Sequence, residues 1–218
     1  MQDQPTKPAR RPGRPAAAAG QENQRDRLLD IALSICAKYG AAETTIAAVA
    51  RAANMTPAAA HYYFKTREQL LDTLLAERFM PVRATFDDVF EAHPDEPFTV
   101  IQLLVERLMN INSRYPWFGT FWLREMISED DMFKQRVQLR LGRKPHIQML
   151  DTIKRWQRDG LINAQIEPVL LFTTLIGLTV LPLSASAKWQ DDPLRAHLGP
   201  QQIADHALAL LLRGLQPQ

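Results

Sequence analysis

Three arginines, Arg10, Arg11 and Arg14, stand among prolines in the stretch KPARRPGRPAAAAG, residues 7–20. Such a segment can lie along a polyanion, and the same composition also suits a solubilising tail. Elsewhere, residues that make and break bonds are sparse. His61, His93, His146, His197 and His206 are too far apart for metal-ligand spacing. The single cysteine, Cys36, permits neither an intrachain disulfide nor a cysteine metal site, and fits a reducing cytoplasm. No phosphate-cradling glycine loop, dinucleotide fingerprint or nucleophile elbow is present. An enzyme is not expected, nor is a metal or a cofactor.

Two later segments carry further chemistry. In PWFGTFWLREM, residues 116–126, the aromatics Trp117, Phe118, Phe121 and Trp122 are closely spaced and Arg124, Glu125 and Met126 follow. The segment reads either as the lining of an apolar ligand pocket, with Arg124 or Glu125 as polar anchor, or as ordinary packing between helices. FKQRVQLRLGRKPH, residues 133–146, carries five basic residues and a histidine. It suits a solvated helix face better than a second nucleic-acid surface, and is expected to lie in the body, away from the N-terminal end.

The elements that must position these residues are all helical. The 218-residue chain is 46% hydrophobic, enough for a real core. Residues 1–67 hold ten Lys and Arg against five Asp and Glu, and the remainder sixteen against nineteen, a basic end on a slightly acidic body. Residues 1–21 lack periodicity and read as a disordered basic arm. Leu28, Ala32, Ile35, Cys36 and Tyr39 then share one helical face that Gly40 ends.

Thr44 or Thr45 caps a short helix running to about Ala53, with Ile46, Val49 and Ala50 inward; Asn54 suits a sharp left-handed turn and Met55 a core plug. Thr56-Pro57 begins a second short helix, and Thr66 with Gln69 forms a capping box for a third. That is a helix-turn-helix module. Breaks are expected at Pro81, Pro94–Pro97, Tyr115-Pro116, Pro145, Gly160 and Gly199-Pro200, giving about nine helices.

The fold class expected is all-α, with a helix-turn-helix domain over residues 22–71 and a separate helical domain over 72–218. Helices at about 167–187 and 200–214 are apolar on more than one face and must be buried against a core or a partner chain. The most apolar run, Val169 to Leu183, is shorter than the ~20 residues of a membrane span, so no membrane is expected.

Residues 27–71, RLLDIALSICAKYGAAETTIAAVARAANMTPAAAHYYFKTREQLL, resemble the DNA-binding domain of TetR-type (tetracycline-repressor-like) transcriptional regulators. The resemblance rests on the first helix ending in Gly40, on Thr44-Thr45, on Val49-Ala50, and on TPAAAHYYFKTREQLL with Phe64, Arg67 and Leu70. It implies a homodimer, paired through the last two helices, that places two recognition helices in successive major grooves of a palindromic double-stranded DNA operator. It further implies that residues 72–218 form a ligand-binding and dimerisation domain, and that repression is relieved by a small-molecule effector, in a cytoplasmic, nucleoid-associated protein. An architectural DNA-binding protein without an effector is the alternative.

On that resemblance, Thr45 and Arg67 would meet phosphates, and the Arg would bring a fork where the family usually has Lys. Thr56, Pro57, Ala58 and Ala59, with Ala47 from the preceding helix, would approach base edges, and Tyr62 and Tyr63 would flank the groove. His61 stands where the family usually has Tyr, so a contact there would be pH-sensitive. Ala60 stands for a usual Leu or Ile, which leaves the helix packing open.

An alanine-faced helix can touch thymine methyls but cannot make bidentate base pairs, so specificity should lean on methyls, DNA shape and the arm. Arg11-Pro12-Gly13-Arg14-Pro15 resembles the Gly-Arg-Pro core of an AT-hook, although Pro12 replaces the usual Arg before the glycine.

Overall fold

A computed structural model describes residues 16–127, 132–142 and 144–218, and no strand occurs among them. The helices are α1 (Ala16–Tyr39), α2 (Ile46–Ala52), α3 (Pro57–Tyr63), α4 (Arg67–Leu74), α5 (Met80–Ala84), α6 (Asp87–Ala92), α7 (Pro97–Arg114), α8 (Trp117–Ile127), α9 (Met132–Leu141), α10 (Lys144–Arg158), α11 (Pro168–Ser186) and α12 (Pro200–Gly214). The class is the expected one. The excess over about nine helices arises largely where an expected helix is interrupted, as between α4 and α6. α1 begins at Ala16, so the stretch assigned to the arm is helical over residues 16–21.

Local chemistry sets the N-terminal elements. Gly40 ends α1 at φ +95° and Asn54 makes the sharp turn at φ +56°, both in the left-handed region. Thr45, Thr56 and Thr66 cap α2, α3 and α4, their side-chain oxygens accepting from the N–H of Ala48, Ala59 and Gln69 at 3.1, 3.2 and 3.1 Å. The Gln69 side chain reaches back one residue beyond the cap, accepting from Lys65 N–H at 2.8 Å.

Pro81 does not break the chain's path. A π-helical turn, Leu75–Phe79, joins α4 to α5, with the Met80 N–H bonded five residues back to the Leu75 carbonyl. A wider turn before a proline, which can neither donate an N–H nor fit closely against the preceding turn, keeps the rod continuous.

Two apolar cores result. The first is built from α1–α4 and the π turn, and includes Leu28, Leu71, Leu75 and Phe79. The second joins α5–α8 with α10–α12 around Trp156, Leu104 and Ile176. The chain therefore changes core between Phe79 and Val82, not at residue 72. The 116–126 segment bridges the two, since Phe121 lies in the first and Phe118 in the second.

α9 departs furthest from expectation. It lies against α4: Arg136 pairs with Asp72, and Phe133, 2% exposed, enters the first core. The basic segment is thus not away from the N-terminal module, although Lys134, Gln138 and Arg140 remain exposed.

Candidate nucleic-acid interface

The surface-forming unit is α2, the turn at Asn54, and α3. Ile46, Val49, Ala50, Ala60 and Phe64 are buried, fixing the two short helices on α1 and α4. Ala60, in place of a larger residue, is buried at 1% exposure. Of the expected residues, Ala47, Thr56, Pro57, Ala58, His61 and Tyr62 are exposed, while Thr45, Ala59 and Tyr63 are half-buried; Arg51, Ala52 and Asn54 are exposed as well. The front of α3 is thus small and apolar, which suits methyl contact and close approach to a groove.

Polar groups frame that front. Thr45 and Thr56 each use one oxygen lone pair in a cap, which leaves the hydroxyl proton able to reach a phosphate oxygen. Tyr62 and Tyr63 meet edge to face at 5.3 Å, and the Lys65 ammonium lies 5.7 Å from the Tyr62 ring centroid. Lys65 was not among the residues expected at the interface. Its signal in the sequence was a cation one residue after the Phe64 that ends α3.

Arg67 opens α4 as the resemblance placed it, but its side chain turns toward the protein. Its Nη2 donates to the Ala41 carbonyl at 2.6 Å and lies 3.6 Å from the Met132 sulfur, and its Nε is buried without a partner. The half-buried guanidinium lies at the junction of α1, α4 and α9. Arg10, Arg11 and Arg14 lie outside the described residues.

The residues expected to line a pocket are distributed otherwise. Phe121 packs with Phe79 and Phe133, with centroids 5.5 and 4.8 Å away. Phe118 stacks on Trp122 at 6.1 Å, and Trp122 meets Phe172 edge-on at 6.1 Å. Trp117 packs against both cores.

Arg124 is no pocket anchor. Its guanidinium donates to the Lys38 and Tyr39 carbonyls at 3.2 and 2.7 Å, satisfying the C-terminal end of α1, where a cation is favourable. The side chain of Met126 is not described. Glu125, the other expected anchor, is 8% exposed, and Trp122 Nε1 is buried with no hydrogen-bond partner. Among the described residues, no group of three or more His, Cys, Asp or Glu could hold a metal.

An ion-pair ladder secures α1 against the π turn. Arg25 grips Glu77 through two bonds of 2.8 and 2.6 Å, and Arg78 reaches Asp30 and Asp26 at 2.8 and 3.0 Å. The bond from Arg25 holds the Glu77 carboxyl below the usual glutamate range, against the opposing pull of burial.

With this geometry in place, residues 28–74 match the family model described as bacterial regulatory proteins, tetR family. No curated protein matches the chain. Among solved structures, the putative fatty acid metabolism regulator of Clostridium perfringens superposes with a TM-score of 0.64 at 15% identity, covering 88% of this chain and 100% of that one. The ketosteroid transcriptional regulator KstR2 of Mycobacterium tuberculosis gives 0.60 at 18% identity, covering 89% and 96%. FadR of Bacillus subtilis, solved with stearoyl-CoA, gives 0.56 at 16% identity, covering 88% and 99%. At such identities these structures share the fold, and the family match lies on the helix-turn-helix domain.

Proposed function

We propose that this chain, a DNA-binding transcriptional regulator of the TetR type, acts as a homodimeric repressor that leaves a palindromic operator when a small apolar effector enters its body. The observation that carries the DNA half is the exposed, small-residue front of α3, capped by Thr56 and framed by Tyr62 and Lys65. One such helix has a small footprint, and a two-fold pair doubles it.

The partner face is on α11 and α12. By length and composition α11 could cross a membrane, yet one side of it packs on α7, α8 and α12. Its other side leaves Leu170, Thr173, Thr174, Gly177 and Leu181 exposed at helical spacing, and a Cβ at Gly177 would meet nothing. On α12 an open groove of about 640 Å³ runs past Leu208 and Leu212. A second copy seated here would remove an apolar surface that water otherwise covers.

For the effector, the supporting observation is the unpartnered N–H of Trp122, whose ring packs on Phe118 and Phe172. An apolar molecule carrying a carbonyl or other acceptor would satisfy it. Because solved structures of this fold include a fatty acid metabolism regulator, a ketosteroid transcriptional regulator and one bound to stearoyl-CoA, acyl thioesters and ketosteroids are the first compounds to screen. The basic arm with Arg10, Arg11 and Arg14 adds a minor-groove contact, and the protein works in the cytoplasm on the chromosome.

Genome-wide footprinting followed by thermal-shift screening tests this reading. Expected are a palindromic site upstream of its own or a neighbouring gene and a compound that both stabilises the protein and releases the DNA. A protein that binds DNA but responds to no ligand would be architectural, and one with no site would not be a regulator. Trp122→Phe, which removes the indole N–H and part of the ring while keeping an aromatic side chain, should weaken the effector without changing operator affinity.

A further inference from the structure

The turn that ends α1 receives two arginines from different parts of the molecule. Arg124, on α8, donates to the carbonyls of Lys38 and Tyr39. Two residues further on, the Ala41 carbonyl accepts from Arg67, in the first turn of α4, and also from the Thr44 N–H at 3.1 Å. Ala41 is 3% exposed, so its bond to Arg67 is sheltered from water. The same Arg67 Nη2 touches the Met132 sulfur of α9, and the Arg67 Nε is buried.

The turn is closely fitted to this arrangement. A Cβ added at Gly40 would come within 3.0 Å of Arg124 Nε. Between the end of recognition helix α3 at Tyr63 and Arg67 there are only three residues, so whatever holds Arg67 holds the exit of that helix.

We infer that Arg67 is a positioning residue which ties the recognition helix to the body through the α1 terminal turn and α9, and does not neutralise a DNA phosphate. A charged, forked side chain suits this use, because one nitrogen can serve two acceptors while its neighbour stays buried. Swinging out to a phosphate would strip the Ala41 carbonyl of its charge-assisted bond and open the α4–α9 contact. Arg124 completes the path from α8, so a shift of the body relative to α1 would be felt at α3. The inference rests on the DNA-binding reading only for its consequence at the operator.

The test uses full-length protein and a duplex selected by that protein from a randomised pool, with affinity followed by anisotropy over a range of salt. Each phosphate contact contributes about 0.9 to the slope of log K against log salt, so loss of one contact per subunit would lower a dimer's slope by about 1.8. Arg67→Gln and Arg67→Lys should both weaken binding, by about a hundredfold for a dimer that loses one charge-assisted bond in each subunit, with the slope unchanged. Amide exchange should quicken in both variants over residues 67–74 and 132–141.

A slope that falls in Arg67→Gln and returns in Arg67→Lys would overturn the inference, and so would variants that leave affinity and exchange untouched. Combining Arg67→Gln with Arg124→Gln should weaken binding by less than the product of the single effects, since both act on one turn. A multiplicative result would also count against it. If the wild-type protein selects no duplex, the DNA-binding reading fails, while the exchange measurement still decides whether Arg67 ties α4 to α9.

Discussion

Phe133 offers the most direct test of how the two parts of the molecule are joined. It belongs to α9, yet it is 2% exposed and sits inside the N-terminal core. Its ring meets Phe79 and Phe121 nearly edge to face, with centroids 5.2 and 4.8 Å away. Truncating a buried Phe to Ala typically removes about 3–5 kcal/mol, a range that includes the two ring contacts. For a chain of this size each kcal/mol shifts the melting midpoint by about 2–4 °C, so Phe133→Ala should lower it by roughly 6–20 °C.

Because the residue joins α9 to the first core, the loss should also split calorimetric unfolding into two steps, the N-terminal domain first. Leu139 on the same helix is 86% exposed, and Leu139→Ala should stay within about 0.5 kcal/mol. Urea titration followed by tryptophan fluorescence, at fixed protein concentration, measures both. If Phe133→Ala and Leu139→Ala behave alike, α9 is not part of the N-terminal core and the reasoning fails.

Other perturbations follow from single contacts. Thr56→Ala removes the cap of a seven-residue helix and should lower stability by about 1 kcal/mol, with a matching loss of operator affinity seen by anisotropy. Gly119→Ala would place a Cβ 2.2 Å from Ser184 Oγ and 2.6 Å from Asn112 Oδ1, which should destabilise the body by about 1–3 kcal/mol in urea and be partly relieved by Ser184→Gly.

The Arg25–Glu77 pair holds the Glu77 carboxyl low, so its contribution is present above the unfolded glutamate value, ~4.3, and fades as pH falls through the lower folded value. Both side chains are partly exposed, so Arg25→Gln should reduce stability by less than about 1 kcal/mol near neutral pH, and the difference should vanish in acid. Deleting residues 1–20 should weaken DNA binding and reduce its salt slope by a few units if the arm lies in the minor groove. An unchanged slope would leave it a tail.

The sequence by itself determined the local structure of the N-terminal module. Gly40, Asn54, Thr45, Thr56 and Thr66 act through their own backbone and near neighbours, so a cap or left-handed turn can be recognised from residue type and spacing. The boundaries of α11 and α12 were legible for the same reason, since Pro168 and Pro200 each open a helix at its first position. The small, exposed front of α3 also followed from composition.

Only tertiary structure decided what the arginines and aromatics do. Arg67 and Arg124 look alike to any one-dimensional pattern, as cations beside apolar runs. Their acceptors, the carbonyls of Lys38, Tyr39 and Ala41, lie 26 to 86 positions away along the chain. Aromatic spacing in residues 116–126 could not separate pocket from packing, because Phe118 and Phe121 face different cores across a single helix. The recruitment of Phe133 into the N-terminal core was equally hidden. Burial of that kind is set by which helices meet, and a long-range contact leaves no period in the sequence that a reader could count.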